Sequence, residues 1–561
     1  MQLEEVHYLA ARSRCTSLLQ QSPYDLRLYL QRARCHELLG YPDLAAGDAY
    51  KALLLTDEAE GGEYHEAVCE ALSLNCPPVL HQDQVLLAQG LKVLQGQIAE
   101  GAEALAVEAY LILTRMLLQC GDRTNAKDFV ERGCRMSPTE DRLQDLRRRI
   151  TTDNAASTPT PEELPAKTRV GRSQVRTLVR RELYPWNTHE PDRFSEETLT
   201  FLNSQLKKNA PKCEIMAVDL PLLTRFDHST DHKRGSVVKQ LGMFARERIA
   251  PLERVLLEPS TLSANTRLFE PLCDACSTAL PEIASDSECA SCLSCNEVCF
   301  CSKTCHERAQ ETYHPAVCGF QDHDIVAKDP SPDSAADKLY LLLVARTIAM
   351  AQTQDKHPLD LNDTKFLWGD FTSSSAPATR TLPFDFQTNI AQPIHILEHM
   401  GLDPYTPLML ERYDIWVLNT MFAKFRGVAS AKLNPRTLCP DVAAVHPLWS
   451  LANHSCAPNV KWQWGAEENN CENREKGAMG LSARGEADMV QWGTERRFGG
   501  IMKGEEILNH YCDIEMDFKQ RREWAIGALG GICMCERCKW ESSQTDSTNG
   551  DETPYIDSEE M

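Results

Sequence analysis

The chain has 561 residues, a formal net charge of −22 and a hydrophobic content of 42%. This length exceeds what one hydrophobic core normally organises, so we expect three or more structural units. The negative charge disfavours nucleic acid as a main partner, because phosphate neutralisation drives that binding, and it favours basic partners such as lysine-rich tails. The N-terminus is acidic and has no positive-then-apolar signal, and no apolar run approaches membrane-spanning length, so we expect a soluble intracellular protein without membrane contact. The 23 cysteines are therefore expected to be reduced thiols and metal ligands.

Residues 1–150 are predicted to be helices separated by short turns. Ala33, Ala45 and Ala52 flank a Gly40-Tyr41 turn, with small residues 12 and then 7 positions apart. The segment 110–138 repeats this pattern with Thr114, Gly121, Ala126, Gly133 and Pro138. The spacing resembles that of tetratricopeptide repeats, whose stacked helix pairs bind partner proteins. An ordinary helical bundle is the alternative.

Residues 151–210 are predicted to form a linker and a basic helix. The linker, 151–167, is rich in Pro, Thr and Ser. Arg169, Arg172, Arg176 and Arg180 follow at intervals of three or four residues and would align on one helix face. Such a stripe either docks an acidic partner or is simply a solvated face.

Residues 211–270 contain strand-like segments. Cys213–Leu220 alternates weakly, and short apolar pieces follow at Val237-Val238 and Val255–Leu257.

Residues 271–320 carry closely spaced pairs of metal-ligand residues. They are Cys273 and Cys276, Cys292 and Cys295, Cys301 and Cys305, and His314 and Cys318. Seven sulfurs and one imidazole satisfy two tetrahedral zinc sites. Cys289 and Cys299 are additional thiols, so a shifted choice of ligands stays open.

Residues 321–438 are predicted to be mostly helical, most clearly at Leu339–Ala345 and Asp414–Ala429. Asn419 lies inside the second apolar run, where a polar side chain must find a partner.

Residues 439–516 contain two polar strings behind apolar ones. Ser450–Asn459 (SLANHSCAPN) is rich in side chains that bond their own backbone, so it predicts a tight loop. Gly504–Tyr511 (GEEILNHY) follows it. The next segment, 517–541, contains Cys533, Cys535 and Cys538, which are three ligands where a structural zinc needs four. We expect Cys456 to be the fourth ligand. Residues 542–561 are acidic and polar and are expected to be disordered.

Four signals in this order resemble the SET-domain protein lysine methyltransferases, most closely the branch that combines SET with a MYND zinc finger. They are Asn-His-Ser-Cys-x-Pro-Asn, Gly-Glu-Glu-Ile with the later Tyr, Arg521-Arg522 and the cysteine triplet. The resemblance implies an α+β chain in which an all-α tetratricopeptide-like domain precedes a β-rich SET fold. A MYND-type finger interrupts that fold, and a post-SET zinc site over 517–541 follows it.

The resemblance also implies site residues. A MYND finger would assign Cys273, Cys276, Cys301 and Cys305 to one zinc and Cys292, Cys295, His314 and Cys318 to the other. With the post-SET set there would be three Zn²⁺ sites. S-adenosylmethionine would bind at Lys239, Leu241, Gly242, Asn419, Asn453 and His454, while Tyr511 would be the catalytic residue. A core asparagine bonded to backbone is the alternative for Asn419.

The sequence departs from the pattern of these enzymes at three positions. Gln240 stands where they have a first glycine, which puts the geometry of cofactor binding in question. Leu529 and Gly531 stand where they have a tyrosine and a phenylalanine that line the lysine channel and stack on adenine. Trp540 is a candidate to replace this aromatic surface.

Three functions are therefore considered. The first is a lysine methyltransferase acting on a histone or another protein, with partner proteins bound by the repeats and the finger. The second is a non-catalytic scaffold with the same partners. The third, a zinc-dependent DNA binder, has only the arginine stripe in its favour. Residence in the cytoplasm, the nucleus or both fits the first function.

Overall fold

A computed structural model describes residues 2–74, 102–156, 177–180, 183–221, 237–266, 271–280, 289–319, 335–368, 381–434, 436, 439–465, 477–494, 496–529 and 532–548. The described chain is a mixture of helices and small sheets. It divides into two compact units. Unit 1 comprises 1–185, 313–358 and 371–423, and unit 2 comprises 186–312, 359–370 and 424–561.

The helices are α1 (Gln2–Leu19), α2 (Leu26–Leu39), α3 (Pro42–Glu58), α4 (His65–Ser73), α5 (Ala102–Gln119), α6 (Arg123–Met136), α7 (Asp141–Ala156), α8 (Glu196–Asn209), α9 (Lys303–Thr312), α10 (Ala335–Thr353), α11 (Asn362–Lys365), α12 (Gln392–His399), α13 (Pro407–Tyr413), α14 (Ile415–Val428), α15 (Phe518–Leu529) and α16 (Glu536–Thr548).

The strands are β1 (Thr177–Arg180), β2 (Cys213–Pro221), β3 (Val237–Ala245), β4 (Arg254–Pro259), β5 (Leu262–Asn265), β6 (Ala290–Ser291), β7 (Cys299–Phe300), β8 (Thr381–Phe384), β9 (Ser430–Leu433), β10 (Pro440–Val445), β11 (Val460–Trp464) and β12 (Ala478–Ala483).

In unit 1, α1 packs on α2, α2 on α3, α3 on α5, α5 on α6 and α6 on α7. Gly40 ends α2 in the left-handed region, with φ of 79°, and Pro42 opens α3, so the predicted Gly40-Tyr41 turn is confirmed. Ala33, Ala45 and Ala52 are fully buried. The helical character predicted for 1–150 is thus confirmed for the described residues of that range.

The core of unit 1 also contains a buried ionic cluster. Arg32 on α2 donates to Asp48 on α3 at 2.6 Å and to Asp414, just before α14, at 3.0 Å. All three side chains are almost fully buried. Gly47 allows this close packing, since an added Cβ would lie 2.7 Å from Cγ1 of Ile415. The cluster therefore links the N-terminal helices to the start of α14.

The segment predicted to be a linker and basic helix differs from that prediction where it is described. Residues 151–156 are the end of α7, and 177–180 form β1, which pairs antiparallel with β8. Arg180 is therefore in a strand rather than a helix, because its segment finds a strand partner far along the chain. Arg169, Arg172 and Arg176 lie outside the described residues.

Unit 2 is built on small antiparallel sheets. One sheet has the order β11-β12-β4, another has the order β5-β10-β9, and β2 pairs with β3. The strands predicted near 213–220, 237–238 and 255–257 are confirmed. Their apolar side chains share one core with α8 and with the 449–452 turn, through residues such as Leu202, Ile215, Met243, Leu256 and Ala452.

The C-terminal part of unit 2 is helical. Arg521 of α15 is almost fully buried, donates to the carbonyl of Met516 at 2.6 Å and pairs with Glu541 of α16. Residues 542–548 are helical, so the expected disorder of the tail is wrong for these residues. Residues 549–561 lie outside the described part.

Candidate functional site

The two polar strings singled out in the sequence lie against each other in unit 2. The amide of Ser455 donates to the carbonyl of Asn509 at 2.7 Å, and the amide of Asn509 donates to the carbonyl of Asn453 at 2.8 Å. These bonds pair His454 with Asn509 as a short parallel bridge. The predicted tight loop is therefore confirmed, and its partner is the second string.

Asn459 fastens the two strings by its side chain. Its Oδ1 accepts from the amide of Leu508 at 2.8 Å, and its Nδ2 donates to the carbonyl of Glu506 at 2.8 Å. One amide side chain thus satisfies two backbone groups of a neighbouring segment, as a strand residue would. This explains why an asparagine ends the first string.

Asn453 joins this loop to β3. Its Nδ2 donates to the carbonyl of Leu241 at 3.0 Å and to Oε1 of Glu506 at 2.7 Å. An added Cβ on Gly242 would lie 2.6 Å from that Glu506 oxygen and 3.2 Å from Nδ2 of Asn453. A larger side chain at this position would therefore displace the end of Glu506 from its contact with Asn453. Burial raises the pKa of Glu506, whereas the bond from Asn453 lowers it.

His454 and Tyr511 are in direct contact. The amide of Tyr511 donates to Nδ1 of His454 at 3.0 Å, so the ring proton resides on Nε2, which lies 3.4 Å from Sγ of Cys456. The hydroxyl of Tyr511 donates to the carbonyl of Ala452 at 2.9 Å. The catalytic candidate is therefore held between the loop and the cysteine cluster.

Lys239 and Gln240 lie on β3 directly before Leu241 and Gly242. Lys239 is exposed, and its Nζ lies 4.9 Å from the ring centroid of Phe194. The Oε1 of Gln240 accepts from Nη1 of Arg193 at 2.9 Å. The side chain of Gln240, which stands where the SET pattern has a glycine, is thus held by Arg193.

Asn419 belongs to unit 1, whereas the other predicted cofactor residues belong to unit 2. Its Nδ2 donates to Asp43 at 3.2 Å, and its Oδ1 accepts from Asn389 at 3.5 Å. Burial raises the pKa of Asp43 to about 6. The side chain of Asn419 therefore bonds to other side chains, whereas the alternative expected a backbone partner. Its role in cofactor binding stays a prediction.

The C-terminal cysteines form a complete ligand set. The sulfurs of Cys456, Cys533, Cys535 and Cys538 all lie within 4.8 Å of one another. Cys456 is the central member, with Sγ at 3.4 Å from Cys538 and at 3.9 Å from Cys533. Arg537 donates to the carbonyl of Cys456 at 2.8 Å. Four thiols at this separation fit a tetrahedral structural zinc, and the assignment of Cys456 as the fourth ligand agrees with this geometry.

Cys512 is a further thiol at this cluster that the sequence analysis missed. Its sulfur groups with His454 and with Cys456, all within 4.8 Å. The one sequence signal that Cys512 belongs to the site is its position directly after Tyr511. A lone cysteine in a polar string carries no ligand spacing, so that signal was weak.

The first ligand set of the finger segment is also assembled. Cys273, Cys276, Cys301 and Cys305 lie within 4.8 Å of one another, with Sγ–Sγ distances of 3.6 Å from Cys301 to both Cys276 and Cys305. Cys301 follows β7, and Cys305 lies in the first turn of α9. This set also fits zinc by donor chemistry.

The second ligand set falls on both units. Cys292 and Cys295 belong to unit 2, and His314 and Cys318 belong to unit 1. Within each pair the two ligand atoms lie within 4.8 Å. That both pairs bind the same zinc ion stays a prediction from the sequence. Of the additional thiols, Cys299 is exposed and Cys289 is partly buried.

Aromatic side chains near Tyr511 were also missed. The ring of Trp449 lies 6.4 Å from that of Tyr511 and 6.1 Å from that of Trp462. Trp540 instead lies beside Trp492, at 6.3 Å. Leu529 packs against the C-terminal cysteine cluster, and Gly531 is outside the described residues.

Comparison with known proteins adds no assignment: no family model and no curated protein matches this chain. Among the described helices, none combines the length and the apolar content that a bilayer span requires. The geometry of the site is therefore the basis for assigning a function.

Proposed function

We propose that this chain is a protein-lysine methyltransferase of the SET–MYND type that uses S-adenosylmethionine. The observation that supports this most is the contact of Tyr511 with the Asn453–His454 loop, with its hydroxyl on the carbonyl of Ala452. The Tyr511 hydroxyl, the Ala452–His454 segment and the backbone of β3 at Leu241-Gly242 therefore meet at one place, although they come from three parts of the chain. Such convergence is expected of a site that positions two reactants.

The residues present fit the proposed cofactor. Gly242 lets β3 lie close to the Asn453–Glu506 contact, since a Cβ there would lie 2.6 Å from Oε1 of Glu506. Asn509 is fully buried, and among the described residues neither atom of its side-chain amide has a hydrogen-bond partner. A buried amide with free donor and acceptor capacity is suited to a polar ligand. Lys239, Leu241, Gly242, Asn453 and His454 would hold the cofactor.

When bound, S-adenosylmethionine supplies a methyl group activated on a sulfonium. A substrate lysine has a reference pKa of about 10.4, and only its neutral amine is nucleophilic. This chain must therefore exclude water around that amine to lower its pKa. Tyr511 and the Ala452 carbonyl orient the amine, and the His454 ring fixes the backbone of Tyr511.

The cysteine sets and the helical region have supporting roles in this proposal. The C-terminal set, together with the two sets of a MYND finger, would hold three zinc ions and fold short segments that have little core of their own. The N-terminal helices would act as tetratricopeptide-like repeats that bind partner proteins. A histone tail is one candidate substrate, and its basic charge complements the net charge of −22.

The test is calorimetric titration of the full-length, zinc-loaded protein with S-adenosylmethionine. Binding in the micromolar range is expected, and Asn453→Ala should weaken it, because this variant loses the bonds to Leu241 and Glu506. Asn203→Ala is the matched control, since Asn203 bonds only α8 and β2 backbone. Absence of binding would overturn the enzyme proposal in favour of a scaffold.

A further inference from the structure

Two histidines lie one turn apart on α12, a helix of unit 1 that the proposed methyl transfer does not use. Ile396 and Leu397 are buried and form the inner face of this helix. His395 is exposed and His399 is half-buried on the outer face, where residues four positions apart are neighbours. Their ring centroids are 4.4 Å apart, and the rings are nearly perpendicular, at 86°. The helix therefore presents the two imidazoles side by side at the surface.

The ring nitrogens of this pair face each other. Nε2 of His399 lies 3.1 Å from Nε2 of His395. Two nitrogens that bind one zinc ion at about 2.0 to 2.1 Å, with a bond angle of about 90 to 109°, lie roughly 2.9 to 3.4 Å apart. The observed separation falls within that range. Without a metal, one N–H proton bridges the two nitrogens, and a bound ion would take the place of that proton.

Glu398 contacts the other nitrogen of His395. Its Oε2 lies 3.3 Å from Nδ1 of that ring. A carboxylate can only accept a hydrogen bond, so Nδ1 of the neutral ring carries the proton and Nε2 keeps its lone pair. Histidines that bind metals commonly make this contact with a carboxylate, which orients the ring and raises its basicity. The contact is a second indication, independent of the nitrogen spacing, that His395 is a metal ligand.

The turn that carries the pair has a fixed backbone. Gly401 has a φ of 67°, and its amide donates to the carbonyl of Glu398 at 2.9 Å. The amide of Leu402 donates to the carbonyl of Leu397 at 2.9 Å. These two bonds form a Schellman motif, which closes the last turn of α12. The negative end of the helix dipole lies at this turn and favours a bound cation.

A spacing of four residues does not by itself produce such a site. His65 and Cys69 have the same spacing and are both exposed on α4, in the same unit. Sγ of Cys69 lies 3.9 Å from Nδ1 and 3.8 Å from Nε2 of His65. A sulfur that is equally far from both nitrogens is not directed at the lone pair of either. This pair is therefore a natural control for the pair on α12.

We propose that His395 and His399 bind a zinc ion, with Glu398 orienting His395. Imidazole nitrogens are suitable ligands for zinc. Two protein ligands leave coordination positions open to water, whereas the C-terminal cysteine set supplies all four. The site should therefore release its ion more readily than the cysteine set does. It is independent of the proposed methyl transfer, because its residues belong to unit 1 and Tyr511 belongs to unit 2.

The test is calorimetric titration of the untagged, full-length, zinc-loaded protein with zinc chloride, after dialysis to remove loosely bound ions. Wild type should bind one additional zinc ion. His395→Gln and His399→Gln should each weaken this binding at least tenfold, whereas His65→Gln should leave it unchanged. Glu398→Gln should weaken it by about tenfold, because the carboxylate no longer orients His395. The unfolding midpoints of these variants in the dialysis buffer should equal that of wild type, since the substituted side chains lie on an outer face.

Hydrogen exchange locates the additional ion. Zinc should slow the exchange of amides in 395–402 of wild type and leave those of His399→Gln unchanged. Failure of wild type to bind additional zinc would overturn the site. Equal binding by wild type and both histidine variants would show an adventitious ion only, held elsewhere on the acidic surface, and would overturn it as well.

Discussion

Glu258 is a carboxyl group whose burial makes the stability of unit 2 depend on pH. Burial raises its pKa to about 8 from an ordinary value of 4.5, although the two amides that it accepts from lower it. Below about pH 4.5 the group is protonated in both the folded and the unfolded chain. As pH rises towards about 8, only the unfolded chain releases the proton, so the free energy of unfolding falls. The full effect is on the order of 4 to 5 kcal/mol, from ~1.4 kcal/mol per pKa unit.

Glu258→Gln removes this titration and should flatten the pH dependence of unfolding between about pH 5 and 8. Urea unfolding of both proteins across this range measures the difference. Glu253→Gln is the control, because Glu253 is partly exposed and pairs with Lys212, which lowers its pKa. Equal slopes for wild type and Glu258→Gln would show that Glu258 is ionised in the folded protein.

Tyr511 can be tested by removing one oxygen. Tyr511→Phe removes the bond from the hydroxyl to the Ala452 carbonyl and keeps the ring against His454. Methyl transfer should fall by roughly 100-fold or more, as when one preorganised polar group of a catalytic site is removed. Cofactor affinity by calorimetry and the unfolding midpoint should stay near wild type. Unchanged turnover would exclude the proposed role.

At the scale of elements, the helices of unit 1 depend on the buried charge of Arg32. Arg32→Ala leaves Asp48 and Asp414 buried without their main partner, and this should cost about 3 to 5 kcal/mol of unfolding free energy. Chemical denaturation followed by circular dichroism measures it. Arg132→Ala is the control, since its pair with Asp128 is half exposed and should contribute under about 1 kcal/mol. Similar losses of unfolding free energy in both variants would show that the helices of unit 1 do not depend on the buried charge of Arg32.

The approach of β3 to the Asn453 loop can be tested by a double-mutant cycle. Gly242→Ala places a Cβ 2.6 Å from the Glu506 carboxyl, which must then leave Asn453, so we expect a loss of about 1 to 3 kcal/mol. Glu506→Ala removes the obstructing oxygen. The double variant should therefore be more stable than the sum of the two losses predicts, and additive losses would show that the two residues do not meet.

Elements with a local signal were predictable, and contacts between distant segments were not. Gly40 and Pro42 mark a helix end and a helix start by their own backbone preferences, and ligand counting is enough to connect Cys456 with the triplet. β1 was predicted to be helical because its pairing with β8 has no local trace. Residues 542–548 looked disordered in composition, but Arg521 and Arg537 both pair with Glu541 and hold α16. Trp449 lies against Tyr511, which is distant in the sequence, and no local pattern predicts that contact.

At the scale of the whole molecule, the C-terminal cysteine set would, with zinc bound, tie a short segment to the sheets of unit 2, which have a core of their own. The C-terminal set connects the Asn453–His454 loop with α16, in which Cys538 is the buried apolar side chain among those that the structure describes. Metal affinity in such a segment is folding free energy. Loss of zinc should therefore unfold particular segments rather than the whole chain.

Cys456 and Cys512 provide a matched pair for testing this, because both are buried thiols of one cluster. Cys456→Ser removes one of four ligands, whereas Cys512→Ser leaves the tetrahedral set complete. We expect Cys456→Ser to contain one zinc fewer per chain than wild type and Cys512→Ser to contain the full number, as measured by atomic emission. Hydrogen exchange should rise in 512–548 of Cys456→Ser and stay slow in α2 and α3, whose core contains no predicted zinc ligand. The reverse pattern of zinc loss would make Cys512 the true ligand and would place the metal directly beside Tyr511.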